Sequence, residues 1–93
     1  MKCDVCGKER ETFVAASTYG PESFAYCEEC LKNGKEPYDA IVTYISCAGH
    51  FPDDINETYQ KDVRRQLKLH GISEEQFIKD VEKAINFYQE IKE

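Results

Sequence analysis

Cys27-Glu28-Glu29-Cys30-Leu31-Lys32-Asn33-Gly34 sets two thiols three positions apart at the head of a short helical stretch. The two glutamates suit the positive end of a helix dipole. Asn33-Gly34 is a stop signal, because a glycine just past the last turn accepts the left-handed conformation that closes a helix. Upstream, Cys3-Asp4-Val5-Cys6-Gly7 repeats the pattern, with 20 residues between Cys6 and Cys27. The full pattern, C-x2-C-x20-C-x2-C, falls at the edge of the spacing used by zinc sites. A two-residue spacer lets two sulfurs of one tight turn reach the same ion, and the free amides of the turn can hydrogen-bond the sulfurs. Cys3, Cys6, Cys27 and Cys30 are therefore read as the ligands of one Zn2+ per chain. Four thiolates close a tetrahedral shell, whereas catalytic zinc keeps a position open for water, so the site is expected to be structural. Two disulfides are the competing reading. An odd total of five cysteines and the lack of an export signal in the sequence weigh against it.

The residues between the two cysteine pairs read as a β-hairpin over 10–26. Thr12, Phe13 and Val14 favour extended backbone, Tyr19-Gly20-Pro21-Glu22 carries a turn signal, and Ser23-Phe24-Ala25-Tyr26 resumes the extended pattern. Downstream, Pro37 stands where a first helical residue would be, and Tyr38, Ile41, Val42, Ile45 and Ala48 recur at steps of three and four. That predicts a helix from Glu36 to Ala48 within a segment 36–49. Gly49, Pro52 and Asp53-Asp54 end it. A helical hairpin is expected over 55–93. Its first helix runs from Ile55 to His70, with Tyr59, Val63 and Leu67 on one stripe and Gly71 as the stop. Ser73-Glu74-Glu75-Gln76 is a capping box that opens the last helix. There Phe77, Val81, Ala84, Tyr88 and Ile91 form a stripe about two heptads long, with Ile78 and Ile85 beside it. A stripe that short predicts packing on the preceding helix and not a coiled coil. The expected fold class is α+β in a single domain, residues 1–93, with a 1–35 metal module.

The order knuckle, hairpin, then a second C-x-x-C opening a helix resembles the treble-clef and four-cysteine zinc-ribbon domains over about residues 1–35. The resemblance rests on the four cysteines and Gly7. It implies a structural zinc module and does not imply one function, since treble clefs serve ribosomal proteins, transcription factors, ubiquitin-pathway modules and nucleases alike. Nuclease versions need added catalytic histidines, and this sequence has only His50 and His70, neither in a His-rich motif. The two C-x-x-C pairs also resemble a rubredoxin-like iron centre. In those centres a glycine follows the second cysteine of each pair. Here Gly7 follows Cys6 but Leu31 follows Cys30, and the chain has no tryptophan.

A formal net charge of -6 is spread evenly, with an acidic excess of three in each half of the chain. A four-thiolate zinc centre adds about -2. Nucleic-acid binding draws affinity from cationic contacts with phosphate, so this balance disfavours it. The exception is a local patch of Lys61, Arg64, Arg65 and Lys68, whose ordinary reading is a solvated helix face with ion pairs. Cys47-Ala48-Gly49-His50 lacks the further ligands of a second tetrahedral site. Cys47 is expected to be a buried structural cysteine and His50 to cap or line the loop that follows. Phe87 falls off the main stripe of the last helix and would help mark a partner surface if exposed.

No nucleophile–base pair, carboxylate dyad or phosphate-cradling loop is legible, so an enzyme is not expected. With no stretch of signal-peptide or membrane-span character, the expected setting is cytoplasmic, away from the membrane. The leading expectation is a protein-interaction or adaptor module, of the kind a small bacterial regulator would use. A nucleic-acid-binding zinc module and an iron electron carrier are the alternatives. The apolar stripe of the last helix suggests pairing with a second copy of the chain.

Overall fold

Local signals set nearly every boundary. A computed structural model describes residues 2–92, and the side chains of residues 2–90. Among these residues the protein is α+β, with one two-stranded antiparallel sheet and four helices. Strand β1 (Thr12–Ala16) pairs with β2 (Ser23–Cys27) in the register Thr12↔Cys27 to Ala16↔Ser23. The connection is drawn in where the Ser17 amide donates to the Glu22 carbonyl at 3.2 Å. Helix α1 (Glu28–Asn33) follows β2 directly, with Cys27 as its N-cap and Gly34 at φ 65° as its C-cap. Glycine accepts that angle without the steric cost a Cβ would bring.

Helix α2 (Tyr38–Ala48) begins two residues later than the sequence predicts. Glu36 and Pro37 lie outside it, and Glu36 is spent on a buried network described below. Helix α3 (Glu57–His70) starts at an Asn56 cap whose side chain accepts from the Tyr59 amide at 3.0 Å. It ends at Gly71, φ 69°. Helix α4 (Glu74–Lys92) starts where the Gln76 amide donates to Ser73 Oγ at 3.1 Å, as the capping box requires. Among the described residues no helix is long and apolar enough to cross a membrane.

The chain forms two compact units, one up to Ala40 and one from Ile41 onward. The first buries Cys3, Tyr19, Ala25, Tyr26, Cys27, Cys30 and Glu36. The second buries Ile41 and Ile45 of α2, Phe51 and Ile55 of the loop, Val63, Gln66 and Leu67 of α3, and Phe77 and Val81 of α4. Within it the Phe51 ring meets Phe77 edge-on at 5.1 Å, and the Arg64 guanidinium lies 5.7 Å over Phe51.

Several expectations fail here. Cys47 is exposed and not buried. It falls two residues after Ile45, about 200° around a helix that turns 100° per residue, so it faces away from the buried side. His50 does line the loop after α2, through its backbone and not its exposed side chain, with Asp54 as its partner. The Asp54 carboxylate accepts the His50 amide at 2.9 Å, and the Asp54 amide donates to the His50 carbonyl at 2.9 Å. The stripe of α4 is buried only in its first half. Phe77 and Val81 are enclosed, Ala84 and Ile85 are half-buried, and Tyr88 and Phe87 are exposed. The 19-residue α4 outruns the 14-residue α3 by roughly 7 Å at 1.5 Å per residue. Ile91, the last member of the stripe, lies outside the described side chains.

Candidate metal centre

The first two thiols sit on a tight turn made by the chain's own amides. The Gly7 amide donates to the Cys3 carbonyl at 2.9 Å, and the Cys3 amide donates to the Lys8 carbonyl at 3.0 Å. Gly7 has φ 73°, which reserves that position for glycine. Asp4 then pins this turn to the hairpin. Its amide donates to the Ala25 carbonyl at 2.8 Å, and its Oδ2 accepts the Ala25 amide at 2.8 Å. Ala25 lies two residues before Cys27, so the double clamp brings the first pair of sulfurs against the second.

The second pair comes from the junction of β2 and α1. Cys27 is the last strand residue and the helix N-cap, and Cys30 lies one helical turn on. The Cys27 amide donates to Cys3 Sγ at 3.3 Å, which links the two knuckles directly. All four sulfurs, from Cys3, Cys6, Cys27 and Cys30, lie within 4.8 Å of one another. Cys6 Sγ and Cys27 Sγ are 3.9 Å apart, well beyond a covalent S–S bond of about 2 Å. A tetrahedral metal with M–S bonds of about 2.3 Å has S···S edges of about 3.8 Å, so the donor set fits one ion. Val5 and Cys6 are partly buried against the other three cysteines.

The electrostatics point the same way. Burial works against ionising Cys3, but hydrogen bonds from the backbone at Cys6, Cys27 and Val5 outweigh it and pull the thiol down to about 6. The backbone at Cys30 lowers Cys27. Cys30 moves the other way, pushed up by burial and by the neighbouring sulfurs of Cys27, Cys3 and Cys6. Backbone hydrogen bonding thus lowers two of the sulfurs, while burial and crowding raise a third. A divalent cation among them removes that conflict, since thiolates bind metal only when deprotonated. Four sulfur ligands would fill the shell of a tetrahedral ion and leave no position for water.

Every cysteine that the spacing selects is in the cluster, and Cys47 stands apart from it. Sequence reasoning missed the residues that hold the cluster in place. Asp4 carries no local mark of its role. Glu36 is buried and accepts from the Tyr26 hydroxyl at 3.1 Å on each oxygen, from Ser17 Oγ at 3.4 and 3.5 Å, and from the Thr18 amide at 3.4 Å. This carboxylate ties the segment after α1 back to the hairpin. Burial, followed by the Glu36 charge and its hydrogen bond, raises the Tyr26 hydroxyl to about 12.

Beside the centre lies a cleft of about 460 Å³, lined by Arg10, Glu11, Phe13, Cys27, Glu28, Glu29 and Lys32. In the second unit Ser46, Cys47, Ile85, Tyr88 and Gln89 line a groove of about 380 Å³. Both arginines of α3 are already engaged. Arg64 Nε donates to Glu74 at 2.6 Å, and Arg65 pairs with Asp62 at 3.0 Å. Comparison with protein-family models, with curated proteins and with solved structures gives no match to this chain.

Proposed function

We propose that the chain is a small zinc-stabilised protein-interaction module, with one structural Zn2+ held by Cys3, Cys6, Cys27 and Cys30 in a treble-clef-like arrangement. The zinc reading is supported by the four-sulfur donor set and its closed shell. Metal analysis of purified protein should find near one zinc per chain. A preparation with neither zinc nor iron would sink the metal reading, and a coloured one would favour iron.

The observation that carries the interaction role is the exposed aromatic pair on α4. Phe87 is 59% exposed, Tyr88 is 40% exposed, and their rings stand 5.9 Å apart at 67°. Aromatic side chains are enriched at protein interfaces because they bury much area at little entropic cost. The groove beside Tyr88 adds a concave neighbour that includes Ile85. Affinity capture with mass spectrometry should return a partner that is lost with Phe87→Ser and Tyr88→Ser. Capture unchanged by those substitutions moves the interface elsewhere. A second copy of the chain is one occupant, and light scattering that shows a monomer at high concentration removes it.

Nucleic-acid binding is the weaker reading. The chain is acidic, and Arg64 and Arg65 are both held by carboxylates. Salt-sensitive binding in a low-salt filter assay, abolished by Arg64→Ala and Arg65→Ala, would reverse this preference. The module is proposed to bind and not to catalyse, and its setting is proposed to be cytoplasmic.

A further inference from the structure

We propose that Arg10 is a positioning residue of the metal centre: anchored by Glu29, its guanidinium donates to the Cys27 sulfur and shields that ligand from exchange. This rests on the four-thiolate metal reading above.

The hairpin register places it there. Thr12 pairs with Cys27, the last residue of β2, so Arg10 lies two residues beyond the end of the ladder, where the paired strand turns into α1. The side chains follow the backbone, and Arg10 Nη1 donates to Glu29 Oε2 at 3.0 Å. Glu29 raises the Arg10 guanidinium most, and the nearby Cys27 sulfur adds to that as an acceptor. A guanidinium carries five N–H donors in a fixed fork, so it can serve a carboxylate and a thiolate at once. Arg10, Cys27 and Glu29 share the walls of one cleft, with Glu11, Glu28 and Lys32 as its other charged residues. The cleft is thus an approach to the metal ligands on the Cys27 side, and Arg10 stands on that approach. Cys6 is half-buried but does not line the cleft, which makes it an internal reference.

The chemistry supplies the reason for a cation here. A divalent ion with four thiolates carries a formal charge of about -2, concentrated on the sulfurs. A hydrogen-bonded cation withdraws charge from the sulfur it touches, which lowers its reactivity toward protons and electrophiles. Outer partners of this kind typically change metal affinity 10–100-fold when removed. A purely structural Arg10–Glu29 pair would do much less, because exposed ion pairs contribute little stability, and these side chains are 40% and 71% exposed.

The test uses the full chain as wild type, Arg10→Ala, Arg10→Lys and Glu29→Gln, each loaded with zinc and, separately, with cobalt(II). Three readouts are followed: zinc transfer to a colorimetric chelator, the ratio of Cys27 to Cys6 alkylation by iodoacetamide mapped by mass spectrometry, and the sulfur-to-cobalt charge-transfer bands. Arg10→Ala should retain one metal per chain, release zinc roughly tenfold faster, shift alkylation toward Cys27 and move the charge-transfer bands to lower energy. Glu29→Gln should fall between Arg10→Ala and wild type. Arg10→Lys keeps a cation but loses the fork, so it should recover part of each effect; it also serves as the decisive variant if Arg10→Ala does not fold. A metal-loaded wild type whose variants match it in release, alkylation ratio and spectrum would overturn the role of Arg10 alone. A wild-type chain that holds no metal would overturn the metal reading and this proposal with it.

Discussion

The two units of this chain solve the same problem by different means. The unit from Ile41 onward buries Ile41, Ile45, Phe51, Ile55, Val63, Leu67, Phe77 and Val81, an apolar set drawn from three helices and a loop. The unit up to Ala40 encloses three cysteines, two tyrosines, Ala25, Glu36 and Pro37, with no valine, leucine, isoleucine or phenylalanine among the buried residues described. A unit of about 40 residues cannot remove enough apolar surface from water to offset its conformational entropy, and metals commonly supply the remainder in units of that size. The first unit has a four-thiol cluster and hydrogen bonds between distant residues in place of an apolar core. The second depends on packing. The comparison teaches that thiol chemistry and side-chain volume are separate routes to stability within one short chain, and that they should fail under different perturbations.

The largest separation should come from the metal. Chelation, or Cys3→Ser with Cys27→Ser, should unfold the first unit and leave the helices of the second in place. Structural zinc contributes apparent binding energies of about 10–16 kcal/mol in small zinc modules. Amide NMR spectra should show residues up to Ala40 collapsing to unfolded positions while those of α3 and α4 hold. Simultaneous collapse of both would show that the units are not energetically separable.

The mirror experiment is Phe77→Ala, at a side chain with no exposure that packs edge-on against Phe51. Truncating a buried phenylalanine costs about 3–5 kcal/mol. Denaturant unfolding of the helices should record that loss, while the chain still takes up one metal. A variant that loses both helices and metal would refute the separation.

The polar network of the first unit predicts a pH effect of defined sign. Glu36 accepts from Tyr26, Ser17 and Thr18, so Glu36→Ala strands the buried Tyr26 hydroxyl at about 1–3 kcal/mol. The Tyr26 hydroxyl is raised to about 12 by burial and by the Glu36 charge. Between its ordinary value of 10 and 12 the folded unit keeps a proton that the unfolded chain releases. The stabilisation is therefore complete below pH 10 and is lost as pH rises through 12. Ultraviolet titration should show Tyr26 ionising late, beside Tyr59, which its hydrogen bond with Tyr44 also raises, and Glu36→Ala should bring only Tyr26 earlier. Six tyrosines ionising together in the wild type would remove this network from the account.

Two smaller changes probe the second unit's local geometry. Gly49 has φ 139°, and a Cβ there would lie 2.6 Å from Asp54, the residue that closes the loop. Gly49→Ala should cost about 1–3 kcal/mol through strain and displacement of Asp54. Ser73→Ala removes the α4 cap and should cost about 1 kcal/mol. Thermal unfolding followed on the helical signal should rank them in that order, both below Phe77→Ala.

The cysteine spacing, the hairpin and the helix ends were readable because each is written locally, although α2 and α3 each start two residues later than expected. Two C-x-x-C pairs, a Gly-Pro turn, Asn33-Gly34, Gly71 and the Ser73–Gln76 box act within a few residues of where they stand, and short-range sterics and amide geometry enforce them. Helical periodicity likewise exposed Ile41, Ile45, Val63, Leu67, Phe77 and Val81 as core. It failed at Cys47 and Tyr88, where a side chain's exposure depends on which neighbour covers its part of the helix. The sequence by itself determined that four thiols would be grouped and that helices would follow them. Only the tertiary structure decided that Asp4 would clamp Ala25, that Glu36 would anchor Tyr26 and that Arg10 would stand beside Cys27. Those partners are 10 to 21 residues apart in the chain. Aspartate, glutamate and arginine carry no periodic mark, and their roles arise only when folding brings a distant donor or sulfur within hydrogen-bond reach.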